Sequence, residues 1–274
     1  MRHAVHPNGT AVVVKLIPTH SDEPSILQYL GSITSTFNHT IPLLGMIEVS
    51  VATFIVLPEH TPLILGFTLG HFRGKVVDLS QQLVDGVMFL HENGIAHLDI
   101  KPANMVVARK SRLFIIDFGI SVHVNGPDEL IDRWLGTPQW MAPEIGDEHG
   151  PRRQYSPIRA DLWSCGLMLQ YLASKRGEEN DIFENFAKQL LNSQPHLRPM
   201  LSVKATHISQ LDRVTHLSSL DEAMAVLTRR PHKQKQTQGA VQKLTGKAVP
   251  PLSRHDVLKR KWDTYHNTLD NLIP

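Results

Sequence analysis

The sequence has little cysteine, almost no net charge and no long apolar run, and each shortage removes a class of protein. A single cysteine, Cys165, cannot close an internal disulfide, so a reducing, intracellular setting is expected. Cys165 lies in "DLWSCGLMLQYLA", an apolar helical pattern that makes it a packing residue rather than a nucleophile. Net charge is only +2, which gives the chain as a whole no nucleic-acid signature. No stretch approaches the ~18–20 apolar residues of a membrane span. The N-terminus "MRHAVHPNGTAVVV" has neither the apolar core nor the cleavage site of a signal peptide. What remains is 41% hydrophobic and 20% charged over 274 residues, the composition of a soluble globular chain with two lobes or two small domains.

Two kinds of pattern divide the chain. The first 60 residues read as strands: Thr10 to Ile17, Pro42 to Ser50 and Ala52 to Glu59, short and β-branched, with a turn at Asn8-Gly9. One short helix, "PSILQYLGSI", interrupts them with Pro24 in its first turn. Beyond Pro62 the period becomes helical. Val76, Leu79, Leu83, Val87 and Leu90 recur on one face, and Gly94 closes the run. Two brief strands, Met105 to Ala108 and Leu113 to Ile116, flank a polar turn. Residues 117 to 157 are loop-like, and two more helices follow in "IRADLWSCGLMLQYLA" and "DIFENFAKQLLN". The expected fold is therefore α+β, with a reduced β-rich lobe over 1–60 and a mainly helical lobe over 61–202. Residues 203–274 carry a basic, Gln-rich run with Asp256 as the lone acid between 229 and 261, expected to be a disordered tail with short helices. Such a run has the charge for weak contact with nucleic acid or anionic lipid. A solvated tail is the simpler reading, and nucleic acid is not the expected partner.

Chemistry concentrates in "IAHLDIKPANMVV", Ile95 to Val107, and in "LFIIDFGIS", Leu113 to Ser121. A turn explains one polar residue and Pro102, but not an aspartate, a lysine and an asparagine on one short loop between apolar flanks. Moving the terminal phosphoryl group of ATP requires a carboxylate to orient the incoming hydroxyl, oxygen ligands for Mg²⁺ and a lysine on the phosphates. Asp99 suits the first task, and Asn104 and Asp117 offer the hard oxygens of the second. Lys101 suits the transferring group, and Lys15, near the end of a strand, suits the remaining phosphates. Each has a plainer reading: Lys15 as an exposed strand-end lysine, Asp117 as a turn cap. His97, one of 16 histidines, has no neighbour at metal-binding spacing and reads as packing.

Taken together, "HLDIKPAN", "DFG" and "APE" resemble the signature set of the eukaryotic protein kinases, in the family's order. "VVVKL" is similar to the strand that carries the ATP-anchoring lysine, here Lys15, and "EPSILQYL" to the helix that supplies its carboxylate partner, here Glu23. "GTPQWMAPE" resembles the peptide-positioning segment. "DLWSCG" resembles the buried helix whose aspartate, Asp161, braces the catalytic loop, and "QPHLRP" supplies Arg198 as partner for Glu144. The likeness spans about Thr10 to Met200 and is closest in style to fungal protein-kinase-like sequences. It implies a two-lobed kinase fold, ATP and Mg²⁺ as cofactors, and a protein substrate. Lys101 marks serine or threonine as the acceptor.

The departures bear on activity. Gly9 is the only glycine ahead of Lys15 and belongs to a strand turn, so the family's G-x-G-x-x-G loop and its strand are expected to be missing. An upstream segment carrying that loop is the alternative. Glu23 precedes Pro24 at the entrance of a shortened helix, which leaves its pairing with Lys15 open. Leu98 replaces the arginine that commonly precedes the catalytic aspartate and receives an activating phosphate. Only a short connection separates the last two helices, where the family usually has another substrate-docking helix. Two functions stay in play: an ATP-dependent serine/threonine kinase, and a pseudokinase scaffold that binds nucleotide or partners with little catalysis.

Overall fold

Strand β1 (Arg2–Val5) turns back through Gly9 into β2 (Ala11–Pro18), an apolar β-branched run whose members alternate between two faces. Gly9 has φ +83°, a backbone state that a residue with a Cβ adopts at a cost. Helix α1 (Glu23–Gly31) follows, entered through Pro24, with Ile26, Leu27 and Leu30 spaced to bury one side. Strands β3 (Gly45–Val49) and β4 (Ala52–Pro58) complete an antiparallel sheet in the order β1-β2-β4-β3. The computed structural model describes residues 2–6, 9–72, 74–175 and 181–201, which belong to one compact unit. The basic run expected to form a tail, 203–274, lies outside the described residues.

Past β4 the chain forms β5 (Thr61–Pro62), the short helix α2 (Leu63–Thr68) and the long helix α3 (Val76–Glu92). Eleven residues of α3 are buried, including every member of the apolar stripe read from the sequence. Strand β6 (Ile95–Ala96) opens the loop that carries Asp99, and a single 3₁₀ turn, Pro102–Asn104, leads into β7 (Met105–Val107). Strand β8 (Leu113–Ile115) pairs antiparallel with β7, which also pairs with β5. Strand β9 (Val122–His123) pairs with β6, so the two motif-bearing loops are fastened side by side.

Helix α4 (Pro157–Ser174) starts at Ser156, whose hydroxyl oxygen accepts from the Arg159 N–H. Helix α5 (Asp181–Leu190) packs on it at Gly166, where a Cβ would fall 2.9 Å from Leu191 and 3.0 Å from Leu190. The main core joins α1, α3, α4, α5 and the small sheets. A second cluster includes Leu98, Val122, Tyr155 and Ile158. Cys165 and His97 are both buried in packing positions, as the sequence implies. No helix among the described residues is long and apolar enough to cross a membrane.

The architecture is α+β, with a small sheet-rich lobe ahead of a helical one. One element was not read from the sequence: β1 pairs with β2 over four residues, Arg2 opposite Val14 through Val5 opposite Ala11. Its sequence, "RHAV", has too little alternation to be read by itself, and the pairing comes from β2.

Candidate active site

Two polar centres face each other across the gap between the lobes. On the roof, Lys15 follows Val13 on the same face of β2, and its Nζ donates to Glu23 Oε1 and Oε2, both at 2.7 Å. It also donates to Asp117 Oδ1 at 2.7 Å, a contact between residues 102 positions apart. The pairing with Glu23, left open by the sequence, is therefore present. A short helix suffices because Glu23 is its first residue and already points at β2. Burial pushes the Glu23 carboxyl above its usual range, and Lys15 offsets this only in part. Burial acts on Asp117 too, but the Lys15 ammonium outweighs it and holds that carboxyl low. Lys15 is raised: burial disfavours its charge, and the two carboxylates more than compensate. Of the two acids, Glu23 is the one that takes up a proton first.

On the floor, Asp99 is surrounded by donors. Thr137 Oγ1 donates to Asp99 Oδ1 at 2.7 Å, Asn104 Nδ2 to Asp99 Oδ2 at 2.7 Å, and Lys101 Nζ lies 2.8 Å from Oδ2. Lys101 Nζ also donates to Thr137 Oγ1 at 2.6 Å, which ties the segment 136–144 to the catalytic loop. Asn104 Nδ2 donates again to the Asp99 carbonyl at 2.9 Å. The amide nitrogen is thus consumed inside the loop, and its Oδ1 is left for another partner.

The loop holds an unusual backbone. Leu98 has φ +64° and Asp117 φ +68°, left-handed states that cost a side-chain-bearing residue on the order of 1–2 kcal/mol. Asp161 of α4, fully buried, compensates at Leu98 by accepting its N–H on Oδ1 at 2.7 Å and that of His97 on Oδ2 at 2.6 Å. His91 Nε2 lies 3.1 Å from the same Oδ2. His97 Nδ1 accepts from the Asp99 N–H at 3.2 Å, and its Nε2 lies 3.1 Å from the Ile116 carbonyl. Burial lowers the His97 pKa, which fits a neutral ring bridging the two motif loops. A bidentate pair, Arg198 to Glu144 at 2.6 and 2.8 Å, fastens the end of the segment.

All six residues singled out in the sequence, Lys15, Glu23, Asp99, Lys101, Asn104 and Asp117, are gathered in these two centres. The sequence did not single out His91, whose i,i+4-rich helix gives no sign of the distant Asp161. Nor did it anticipate that Lys15 reaches Asp117 as well as Glu23. A cavity of about 430 Å³ opens beside that pair, edged by Pro18, His20, Ser121 and Arg133.

The donor set fits Mg²⁺. Asp117 uses Oδ1 for Lys15, and its other oxygen is reachable because the side chain is 39% exposed. With Asn104 Oδ1 this makes two hard oxygens, few enough that phosphates and water must complete the shell. Among the described residues no cluster of three or more His, Cys, Asp or Glu offers a site built wholly from protein.

A lysine-bearing sheet over an aspartate-bearing loop is the arrangement that the sequence resemblance implies. Comparison with known proteins is specific. The protein kinase domain matches residues 66–194, which contain Asp99, Lys101, Asn104 and Asp117 but not Lys15 or Glu23. Sperm motility kinase 1 of Mus musculus is 28% identical over 215 residues, 74% of this chain and 42% of the relative. CBL-interacting protein kinase 16 of Oryza sativa subsp. japonica is 31% identical over 199 residues, 69% of this chain and 39% of the relative. CBL-interacting serine/threonine-protein kinase 26 of Arabidopsis thaliana is 34% identical over 132 residues, 47% of this chain and 29% of the relative. Residues 66–194 thus form a domain of the eukaryotic protein kinase family, and the chain spans less than half the length of these relatives.

Proposed function

We propose that the chain is an ATP- and Mg²⁺-dependent kinase that transfers a phosphoryl group to serine or threonine hydroxyls of an intracellular protein substrate. The supporting observation is the Asp99 carboxylate, poised by Thr137, Asn104 and Lys101 with no cation clamping both its oxygens. Asp99 orients the acceptor hydroxyl and takes its proton. Lys101 lies beside the position of the moving group and offsets its negative charge. Lys15, held straight by Glu23, anchors the donor phosphates. Asn104 and Asp117 are the residues that would hold Mg²⁺, which supplies charge neutralisation on the phosphates when bound. For Asp117 to serve, Lys15 must share it, and the arriving phosphates give the lysine its alternative partner.

A second reading is a pseudokinase scaffold, the same fold binding nucleotide or partners with little catalysis. Transfer of labelled phosphate to a generic basic protein decides between them. Asp99→Asn should lower turnover by roughly 10²–10⁴-fold, the range for losing a positioned base. Nucleotide affinity should barely change, since Asp99 faces the acceptor. Equal signals from both forms sink the assignment of Asp99. No signal from either, with nucleotide still bound, moves the protein to the scaffold class.

The same reading divides the chain into a small lobe over 1–60, a large lobe over 61–202 and a dispensable remainder. A chain ending at residue 202 should keep the melting transition of the full one. Loss of cooperative melting would overturn that boundary.

A further inference from the structure

We propose that His3 and Glu59 form a strap that fastens the roof of the nucleotide slot to the connection between the lobes, and that both are positioning residues for nucleotide binding. The proposal rests on the kinase reading above and adds residues to its site.

The argument begins with register. His3 on β1 lies opposite Val13 on β2, and Val13 lies opposite Leu57 on β4, so the three form one row across the sheet. Lys15 is two residues along from Val13, on the same face, and its ammonium reaches Asp117 on the floor. His3, Val13 and Leu57 therefore share the sheet face that looks into the slot. Val106, 9% exposed on β7, is in the strand that leads away from Asn104 along the floor.

Strand β1 is the weak part of this roof. It is four residues long, exposed throughout, and bonded to β2 alone among the described residues. A short edge strand with one neighbour frays readily unless a side chain ties it down.

The connection that follows β4 is secured on both other sides. The Glu59 N–H donates to the Ala11 carbonyl at 3.0 Å, which ties it to β2. The His60 ring stacks on Phe114 of β8 at 5.3 Å with planes 12° apart, and Thr61 and Pro62 pair with Val107 and Val106. A side-chain contact joins this fixed connection to β1: His3 Nδ1 lies 3.4 Å from Glu59 Oε1. The side chains are 31% and 15% exposed, so the pair works at the mouth of the slot, half out of water. It holds the free edge of the roof at the spacing a nucleotide needs.

The test is titration of the full chain with ADP and Mg²⁺ by calorimetry, for wild type, His3→Ala, Glu59→Ala, the double variant and His3→Lys. Each single alanine should weaken binding by roughly three- to fivefold, the scale of a half-exposed polar contact. The double variant should be no weaker than either single, since both remove one interaction. His3→Lys keeps a nitrogen donor facing Glu59 and should bind like wild type. Equal affinity across all variants overturns the strap and leaves the kinase reading intact. Additive losses, or failure of the lysine to restore binding, also overturn it, because the two residues then do not act as a pair. Wild type that binds no ADP refutes the strap and the kinase reading together.

Discussion

Asp161 and Asp85 sit on neighbouring helices, α4 and α3, sheltered from water to 0% and 9% exposure, and their surroundings are opposite. Asp161 accepts two backbone N–H groups and faces His91, so its charge is distributed over donors fixed by the fold. Asp85 has no hydrogen bond or ion pair among the described residues, and burial alone pushes its carboxyl up to about 6. The same side chain thus serves as an organiser in one helix and as a liability in the next. What separates them is whether the neighbouring backbone offers donors. Around Asp161 it does, because the loop through His97 and Leu98 runs off the end of β6 with its N–H groups turned away from any strand partner.

The largest effect should come from breaking the satisfied side of this comparison. Asp161→Ala leaves the N–H groups of His97 and Leu98 buried without an acceptor, each costing about 1–3 kcal/mol. It also removes the compensation for the left-handed Leu98 backbone. A loss of about 3–5 kcal/mol is expected from chemical denaturation, with catalytic turnover falling alongside as the loop loses its shape. A loss below about 1 kcal/mol would mean that the loop is held by its apolar cluster and not by Asp161.

The unsatisfied side gives a smaller effect of opposite sign. Asp85 rises from 3.8 to about 6, so between those pH values the folded state binds more protons than the unfolded one. Stability therefore falls as pH climbs from about 4 to about 6 and levels off above. Two pH units of this shift correspond to about 2–3 kcal/mol at neutral pH. Asp85→Asn should recover most of that at pH 7 and almost none at pH 4. A gain that is the same at both pH values would show that the carboxyl is not the source.

The contrast also explains what could be read from the amino-acid sequence. "HLDIKPAN" was legible because Asp99, Lys101 and Asn104 meet within six residues of one loop, where sequence spacing is spatial spacing. Helix α3 was legible because its stripe has to face a core whatever surrounds it. Long-range partners left less trace. Asp161 could be assigned only by resemblance, and Lys15 reaching Asp117 required the sheet to close over the loop. Strand β1 and the two-residue strands β5, β6 and β9 are too short to carry a period, and their pairing is dictated by the partner strand. Asp85 sat unremarked inside an apolar stripe, where only burial reveals its cost.

The smallest expected effect concerns Leu98, the residue whose N–H Asp161 holds. Its side chain is 5% exposed and packs with Val122, Val124, Tyr155 and Ile158, joined by Trp134 and Leu135 from the segment before Gly136. Further ties reach that segment: Ile131 and Tyr155 exchange backbone bonds at 3.0 and 2.9 Å, and the Tyr155 hydroxyl donates to the Arg133 carbonyl at 2.8 Å. Apolar contact and backbone bonds thus do the fastening that an arginine–phosphate pair does elsewhere. The hydroxyls near the loop are already engaged, Ser121 donating to the His97 carbonyl at 3.1 Å and Thr137 to Asp99. Phosphatase treatment should accordingly leave transfer activity within about twofold of the untreated protein, because no phosphate–arginine pair is there to be lost. Leu98→Arg should not create phosphatase sensitivity, and it should cost stability by placing a guanidinium in an apolar cluster. The two forms can be assayed side by side, before and after phosphatase, with melting followed in parallel. A clear fall in wild-type activity would show that a phosphate does organise this segment, with exposed Arg133 as the first cation to replace.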